Sequence, residues 1–378
     1  SSGGDAPGMN AAIRAAVRGG LGRGCRMLGV LRGYQGLIDD EVEELELRSV
    51  SDVIHRGGTM LYTARSDEFV TPAGQKKALD TLARHGADAL IVVGGDGSFR
   101  GALDLARQGM QIVGIPGTID NDIACSEYTI GYDTAVNTAI EMIDRLRDTA
   151  QSHERCSVIE VMGRHCGNIA LSAGIATGAT ALLVPEIDFD YEKDVLERIA
   201  FTRSKGKRHF IVVASEGIFK QSGSRFSSSE EMSAAISQDS GIPARTTVLG
   251  HVQRGGSPNL RDRVMATKMG YRAVELLSQN IGNRVVAIQK GELVDFEINE
   301  ALAMQKTMQA ARFACMPVAA VAAVMRPVVW FLSASTNLVL RLLHLNTEAQ
   351  EETVTEEEIR LMVDLGEEKG AIDAEEKE

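Results

Sequence analysis

The sequence predicts an α/β fold with mainly parallel sheets, and three observations carry that prediction. Short apolar runs rich in β-branched residues, such as Ala89 to Val93 and Phe210 to Ser215, have the composition of strands buried on both faces. Most run into a glycine-bearing turn followed by a helical apolar pattern. Glycine is abundant, at 38 of 378 residues, as many strand-to-helix turns require. A chain of this length exceeds one ordinary core and suits two domains with additions.

Charge and cysteine usage narrow the class. The net charge is -12, but residues 348–378 hold 13 acidic and 3 basic side chains, so the rest of the chain is nearly neutral. It lacks the basic footprint of a nucleic-acid binder. Cys25, Cys125, Cys156, Cys166 and Cys315 show neither C-x-x-C pairing nor metal-ligand spacing, and they read as reduced thiols of a cytoplasmic protein. No signal peptide is visible. The chain opens on a glycine-rich turn with no strand before it, which reads as a truncated start.

Taken in order, Ser1 to Asn10 forms a glycine-rich loop entering a helix, with Asn10 as the expected N-cap and Ile13, Val17 and Leu21 at helical spacing. Amides at such a helix start can hold a phosphate. Arg14 and Arg18 share one face of that helix, as a solvated stripe or an anion site. Met27 to Val30 predicts a short strand, Gly33 to Gly36 a turn, and Val50 to His55 a short helix broken by Arg56 to Thr59. Lys76 to His85 reads as an amphipathic helix. The buried strand Ala89 to Val93 enters Gly94-Gly95-Asp96-Gly97-Ser98, and a helix carrying Leu103, Leu105 and Ala106 follows. That layout suits nucleotide phosphates: glycines admit close backbone approach, and Asp96 can hold Mg²⁺.

Ile112, Val113 and Ile115 close another buried strand, and Pro116 to Asp122 leaves its carboxyl end. Open α/β sheets place their ligands there. Asp120 and Asp122 sit one residue apart on this loop, with Asp120 as the candidate general base; an Asx-rich turn is the competing reading. A helix from Gly131 to Arg147 and a strand from Ser157 to Val161 come next. The turn Met162 to Gly167 then carries Arg164, a cation suited to a developing phosphoryl charge, beside His165, which reads as a hydrogen-bonded structural histidine. Ala181 to Pro185 and Phe210 to Ser215 are further strands, the second ending at Glu216-Gly217. Lys205, Lys207, Arg208 and His209 form a basic knot between them, as a solvated turn or an anion site. Thr246 to Ser257 sets His251 and Arg254 among glycines, as a sugar phosphate would need, with Arg245 just before. Asp262 to Leu277 reads as a helix and Val285 to Ile288 as the last strand.

Ser2 to Asn10, Gly94 to Ser98, Pro116 to Asp122, Met162 to Gly167 and Leu249 to Ser257 follow the order and spacing of the bacterial 6-phosphofructokinases. The resemblance runs from Ser2 to about Met308. It implies two Rossmann-like lobes, one for ATP (1–131 and 253–303) and one for the sugar phosphate (132–252). It implies a glycolytic phosphotransferase that moves a phosphoryl group from ATP to fructose 6-phosphate, with Mg²⁺. Gly4, Tyr34, Arg65, Ser66, Gly95, Gly97, Ser98 and Gly101 would line the ATP site, and Asp96 would hold Mg²⁺. Asp120 would take the proton of the sugar 1-hydroxyl, with Thr118 and Asp122 orienting the centre and Gly4 and Arg164 at the transferring group. Met162, Gly163, Glu216, His251 and Arg254 would contact the sugar phosphate. Arg155 and Arg245 would reach it from a neighbouring subunit of a homotetramer. Arg14, Arg18, Arg48, Arg147, Gly178, Lys205, Lys207 and His209 match an effector site for ADP or phosphoenolpyruvate. Thr180 departs from the glutamate of the best-known bacterial enzymes there. Gly97 and Gly117 match the ATP-using branch; the pyrophosphate-using branch carries Asp and Lys at those places.

Beyond about Met308 the character changes. Phe313 to Leu345 is apolar but broken by Pro317, Arg326 and Pro327, so packed helices and membrane contact are both open. Ser335-Thr336-Asn337 with Leu342-Leu343, and Val354 to Ile359 with Val363, resemble the junction between membrane helix and CBS domain in haemolysin/CorC-type transporters. Residues 309–378 are therefore expected to be a foreign helical extension with an acidic tail. Two alternatives stand beside the kinase: a pyrophosphate-dependent relative, and an inactive, membrane-associated fragment.

Overall fold

The computed structural model describes residues 1–221 and 223–305. In chain order the elements are α1 (Met9–Leu21), β1 (Leu28–Val30), α2 (Tyr34–Ile38), β2 (Val42–Glu44), α3 (Pro72–Arg84), β3 (Ala89–Gly94), α4 (Asp96–Ala106), β4 (Gln111–Pro116), α5 (Tyr132–Ser152), β5 (Cys156–Val161), α6 (Asn168–Ala176), β6 (Ala181–Leu183), α7 (Glu197–Ser204), β7 (Phe210–Ser215), α8 (Ser229–Ser240), β8 (Ala244–Val248), α9 (Leu260–Ser278), β9 (Arg284–Gln289) and β10 (Glu292–Glu297). Residues 298–305 are helical. The expected α/β class with parallel sheets is observed.

Two four-stranded sheets organise the chain. The first runs β10-β9-β4-β3, with β3, β4 and β9 parallel and β10 antiparallel at one edge. The second runs β6-β7-β5-β8 and is parallel throughout. Their strands are apolar on both faces because helices cover both sides; β7 is buried along its whole length. Register then decides what meets. Gly94 of β3 pairs with Pro116 of β4, so the glycine loop after β3 and the carboxylate loop after β4 emerge side by side. In the second sheet Val161 pairs with Ser215 and Glu160 with Val248, which brings together the turns after β5, β7 and β8. A pair β1-β2 stands apart from both sheets. Helices α1 and α9 pack tightly: a Cβ on Gly270 would lie 2.3 Å from the Ala12 carbonyl oxygen, so only glycine fits.

Several local expectations are corrected. Helix α1 starts at Met9 after Gly8, whose φ of 106° is a glycine conformation, so Asn10 does not cap it. Asn10 is buried instead, donating to the Arg56 and Gly57 carbonyls and accepting from the Met60 amide. Gly33 to Gly36 is not a bare turn, because α2 begins at Tyr34, where the ring stacks on Phe69 and the chain gains a buried face. Residues 50–55 form turns rather than a helix, with Val50 and Val53 anchored in a small core. β9 is not the last strand, since β10 pairs back on it as a hairpin through Lys290 and Gly291.

Candidate active site

The loop after β4 is the centre of the site. Asp120 is 7% exposed, and its Oδ1 has no hydrogen-bond partner. A buried carboxylate oxygen without a donor is costly unless it meets a ligand or a proton. Burial pushes the Asp120 carboxyl up to about 6; Asp122 and Glu216 add to the rise, while Arg254 and Arg164 oppose it. Its backbone is held from several sides. The Asp120 amide donates to Thr118 Oγ1 at 3.2 Å. The Asp120 carbonyl accepts from Asn168 Nδ2 at 3.1 Å and from the Cys166 thiol at 3.0 Å. Asn168 also donates to the Asn121 carbonyl, and Asn121 takes a φ of 50°, which asparagine tolerates better than most residues. Thr129 donates to the Thr118 carbonyl, and Gln305 donates to the Asp122 carbonyl and accepts from the Ala124 amide.

The facing wall comes from the second sheet. Gly163 has a φ of 147°, and Arg164, exposed, has a φ of 53°. The Arg164 amide donates to Glu216 Oε1 at 3.0 Å. Burial pushes Glu216 up, but the Lys220 ion pair and the Arg164 and Gly163 amides outweigh it and hold the carboxyl below the usual range. Met162 is tied by its amide to Gln253 Oε1 at 3.4 Å, and Gln253 is fully buried. The single turn Gly250–Arg254 then presents His251 and Arg254. Arg254 Nη1 donates to the Asp5 carbonyl at 3.0 Å. A Cβ on Gly4 would stand 2.7 Å from the same Nη1, so a side chain there would push the guanidinium from its present place. His165 is exposed and forms no hydrogen bond with the described residues, contrary to the structural role expected of it, because the turn projects it outward.

The glycine loop after β3 borders the base. A Cβ on Gly95 would lie 3.8 Å from the Thr118 Cβ, and one on Gly97 would meet nothing within 4 Å. The loop therefore leaves open space at Gly97. Ser98 is buried and donates to the Ser2 carbonyl, joining this loop to the first one. Tyr34 lies beneath them, 7% exposed, with its hydroxyl donating to the Ser98 carbonyl at 2.6 Å. Gly101 sits against the Tyr34 and Phe69 rings, Ser66 accepts from the Phe69 amide, and Arg65 is exposed. Asp96 pairs with Arg100 at 2.8 Å through one oxygen, while the other, buried, has no hydrogen-bond partner. No cluster of three or more His, Cys, Asp or Glu suited to a metal occurs among the described residues.

Other residues singled out lie at the opposite end. Arg155 precedes β5 and Arg245 is the second residue of β8, so both stand near the amino ends of strands whose carboxyl ends carry the site. Six residues of strand separate the two ends, roughly 20 Å. Arg147, Lys207 and His209 gather at that amino end. Arg147 donates to the Thr177 carbonyl, and Lys207 reaches Thr180 Oγ1 at 3.5 Å. Burial first, and Arg147 next, lower Lys207; burial, Lys207 and Arg147 lower His209. Gly178 forms a nearby turn with a φ of 58°. Lys205, Arg18 and Arg48 are exposed, and Arg14 is half-buried on α1.

Asn168, Cys166, Thr129, Gln253 and Gln305 hold the site's backbone; Cys166 and Gln253 lie inside motifs read from the sequence but were given no role there, and the other three were not singled out. Asn168 follows the motif Met162 to Gly167 directly, which is a signal; Gln305 lies 183 residues from the carbonyl it binds and leaves none. Asp262 belongs with them. It is fully buried at the start of α9, where it accepts from the Gly131 and Thr134 amides and pairs with the Tyr128 and Thr134 hydroxyls.

Among the described residues no helix is long and apolar enough to cross a membrane. The expected membrane contact of residues 313–345, the extension 309–378 and Cys315 lie outside the described residues.

Comparison with known proteins agrees with this layout. The family model "Phosphofructokinase" matches residues 1–277. The ATP-dependent 6-phosphofructokinase of Clostridium tetani is 52% identical over 305 residues, which are 81% of this chain and 93% of that protein. The enzyme of the same name from Clostridioides difficile is 50% identical over 306 residues, with the same coverage. The T-state phosphofructokinase of Pichia pastoris superposes with a TM-score of 0.76 at 36% identity, covering 83% of this chain and 36% of that longer one. The pyrophosphate-dependent enzyme of Marinobacter aquaeolei shares the fold, with a TM-score of 0.70 at 22% identity and coverage of 79% and 82%. A second model, "Cyclin M transmembrane N-terminal domain", matches residues 298–376, in keeping with the CorC-type resemblance of that segment. Its first residues still serve the kinase body, since Ile298, Ala301 and Leu302 are buried in a core shared with β3, β4 and β9. From its first loop to α9, the chain belongs to the phosphofructokinase family.

Proposed function

We propose that the chain transfers the γ-phosphoryl group of ATP to the 1-hydroxyl of fructose 6-phosphate, giving fructose 1,6-bisphosphate and ADP. The observation that carries the reading is the buried, unpartnered Oδ1 of Asp120, set between the glycine loop and the two arginines. Asp120 takes the hydroxyl proton as the sugar oxygen attacks the γ-phosphorus and the bond to the ADP oxygen breaks. Phosphoryl transfer is mainly positioning and charge neutralisation. Arg164 answers the charge of the group in flight; its positive φ is strain of the kind that functional turns retain. Glu216, Met162, Gly163, His251 and Arg254 hold the sugar phosphate, and Thr118 and Asp122 set the base loop. The glycine loop, Gly4, Ser66 and Arg65 receive the nucleotide, with Tyr34 and Gly101 packed beneath.

The orphaned oxygen of Asp96 fits a Mg²⁺ ion, which a single carboxylate and phosphate oxygens commonly hold. When bound, Mg²⁺ supplies charge neutralisation on the phosphates. ATP is taken as the donor because the relatives about 50% identical are ATP-dependent and Gly97 and Gly117 match that branch, with open space around Gly97.

The two sheets support a nucleotide lobe (1–131 and 253–303) and a sugar lobe (132–252). Arg155 and Arg245, far from Asp120 in their own chain, serve a neighbouring subunit of a homotetramer. The Arg147, Lys207 and His209 cluster, with Gly178, Lys205, Arg14, Arg18 and Arg48, takes an anionic effector, ADP or phosphoenolpyruvate. The protein works in the cytoplasm. A coupled assay with fructose 6-phosphate and Mg²⁺, run with ATP and with pyrophosphate, tests the donor and acceptor. Turnover with ATP alone is expected; turnover with pyrophosphate alone, or with neither, would overturn the reading.

A further inference from the structure

The loop that carries Asp120 is docked on the helix 298–305. Its Ile123 and Cys125 share a core with Ile298, Ala301 and Leu302, and all five are buried. Beside them the loop backbone meets Gln305, which is 8% exposed and uses both ends of its amide there. Nε2 donates to the Asp122 carbonyl at 2.8 Å, and Oε1 accepts from the Ala124 amide at 2.8 Å. One side chain thus completes two backbone groups, as a neighbouring strand would. Other stretches of the loop have other ties. Asn168 and Thr129 hold the carbonyls of Thr118, Asp120 and Asn121. Further on, the Glu127 amide donates to the Ile288 carbonyl, and Ser126 Oγ accepts from the Ile288 amide. Residues 122–124 lie between these anchors, just past the base.

We propose that Gln305 is a positioning residue for phosphoryl transfer: it fixes the backbone beside Asp120 so that the base carboxylate faces the sugar hydroxyl. The inference rests on the reading of the site given above. Gln305 acts through the Asp122 and Ala124 backbone and not on a substrate, so its effect falls on turnover and not on substrate affinity. Misplacing a reacting group by about 1 Å can cost on the order of 10² in rate. Gln305 also stands outside residues 1–277, matched by the phosphofructokinase model, and inside residues 298–376, matched by the transmembrane-domain model. Catalysis therefore draws on a segment that the family match would leave out.

The test uses the full chain and three variants, with kcat measured well below the melting temperature and the Kd of fructose 6-phosphate measured beside it. Gln305→Met keeps the length of the side chain and removes both hydrogen bonds. Gln305→Asn keeps the amide but draws it back by about 1.5 Å. Ile236→Ala is the control for lost stability, since Ile236 is fully buried on α8, in a core separate from the one under the loop. Gln305→Met is expected to lower kcat about ten-fold and Gln305→Asn about three-fold, with the Kd unchanged in both. Ile236→Ala is expected to lose at least as much melting temperature and to keep the parent kcat. The Ala124 amide should exchange at least ~10-fold faster in Gln305→Met than in Ile236→Ala. The proposal is overturned by a kcat unchanged in Gln305→Met, by an equal loss in Ile236→Ala, by a loss that appears in the Kd instead, or by equal exchange at Ala124. Absence of turnover in the parent chain would overturn it together with the reading it rests on; normal turnover in both parent and Gln305→Met would overturn it alone.

Discussion

Replacing Asp120 with asparagine should make the protein more stable while removing its activity. The side chains have nearly the same shape, so the packing around a 7%-exposed residue is retained. What changes is the charge. The ordinary carboxyl value is 3.8, and burial holds Asp120 at about 6. The folded state therefore binds the Asp120 proton more tightly than the unfolded state. The protonated group's contribution is fully present below about 3.8 and is lost as pH rises through about 6. At pH 7.5 ionised Asp120 costs the folded state about 3 kcal/mol, at about 1.36 kcal/mol per pKa unit. At pH 5 the same linkage leaves about 1.5 kcal/mol, because much of the wild-type group is already protonated when folded. Asp120→Asn removes this cost. Thermal melts should show it more stable by about 6 °C at pH 7.5 and about half that at pH 5. A variant no more stable than the wild type at pH 7.5, or a gain that does not change with pH, would refute the reasoning.

Two further predictions follow from the same loop. Turnover needs ionised Asp120, so kcat/KM for the sugar phosphate should fall about ten-fold per pH unit below about 6 and level above it; a profile flat down to pH 5 would count against the assignment. Asn168→Ala removes the donors to two carbonyls of the base loop. It should lower kcat about ten-fold without moving the apparent pKa of the pH profile, and an unchanged kcat would show that the loop holds itself.

The chemistry-bearing turns were legible because each follows a short apolar run, and parallel sheets put such turns together at one end. β7 was found residue for residue, and the loop that carries the candidate base was expected after a buried strand, where β4 ends at Pro116. The motif residues beyond these came from family resemblance, since spacing alone left the Asp120 loop open to an ordinary turn. What was missed depends on contacts distant in sequence. α2 exists because Tyr34 stacks on Phe69 and reaches the Ser98 carbonyl, 64 residues away. Asn10 looked like a cap but is committed to a segment about 50 residues on, where it satisfies three backbone groups. Asp262 reads as an ordinary acidic first-turn residue of a helix, yet it is buried and binds groups some 130 residues earlier. Local periodicity carries no trace of such partners.

The central claim is that Asp120 is the base of a phosphofructokinase reaction. Steady-state turnover of the chain and of Asp120→Ser with ATP and fructose 6-phosphate, beside the Kd of the sugar phosphate for each, tests it most directly. A loss of roughly 10²–10⁴ in kcat with the Kd nearly unchanged is the result predicted. Turnover within a factor of a few of the parent would contradict it.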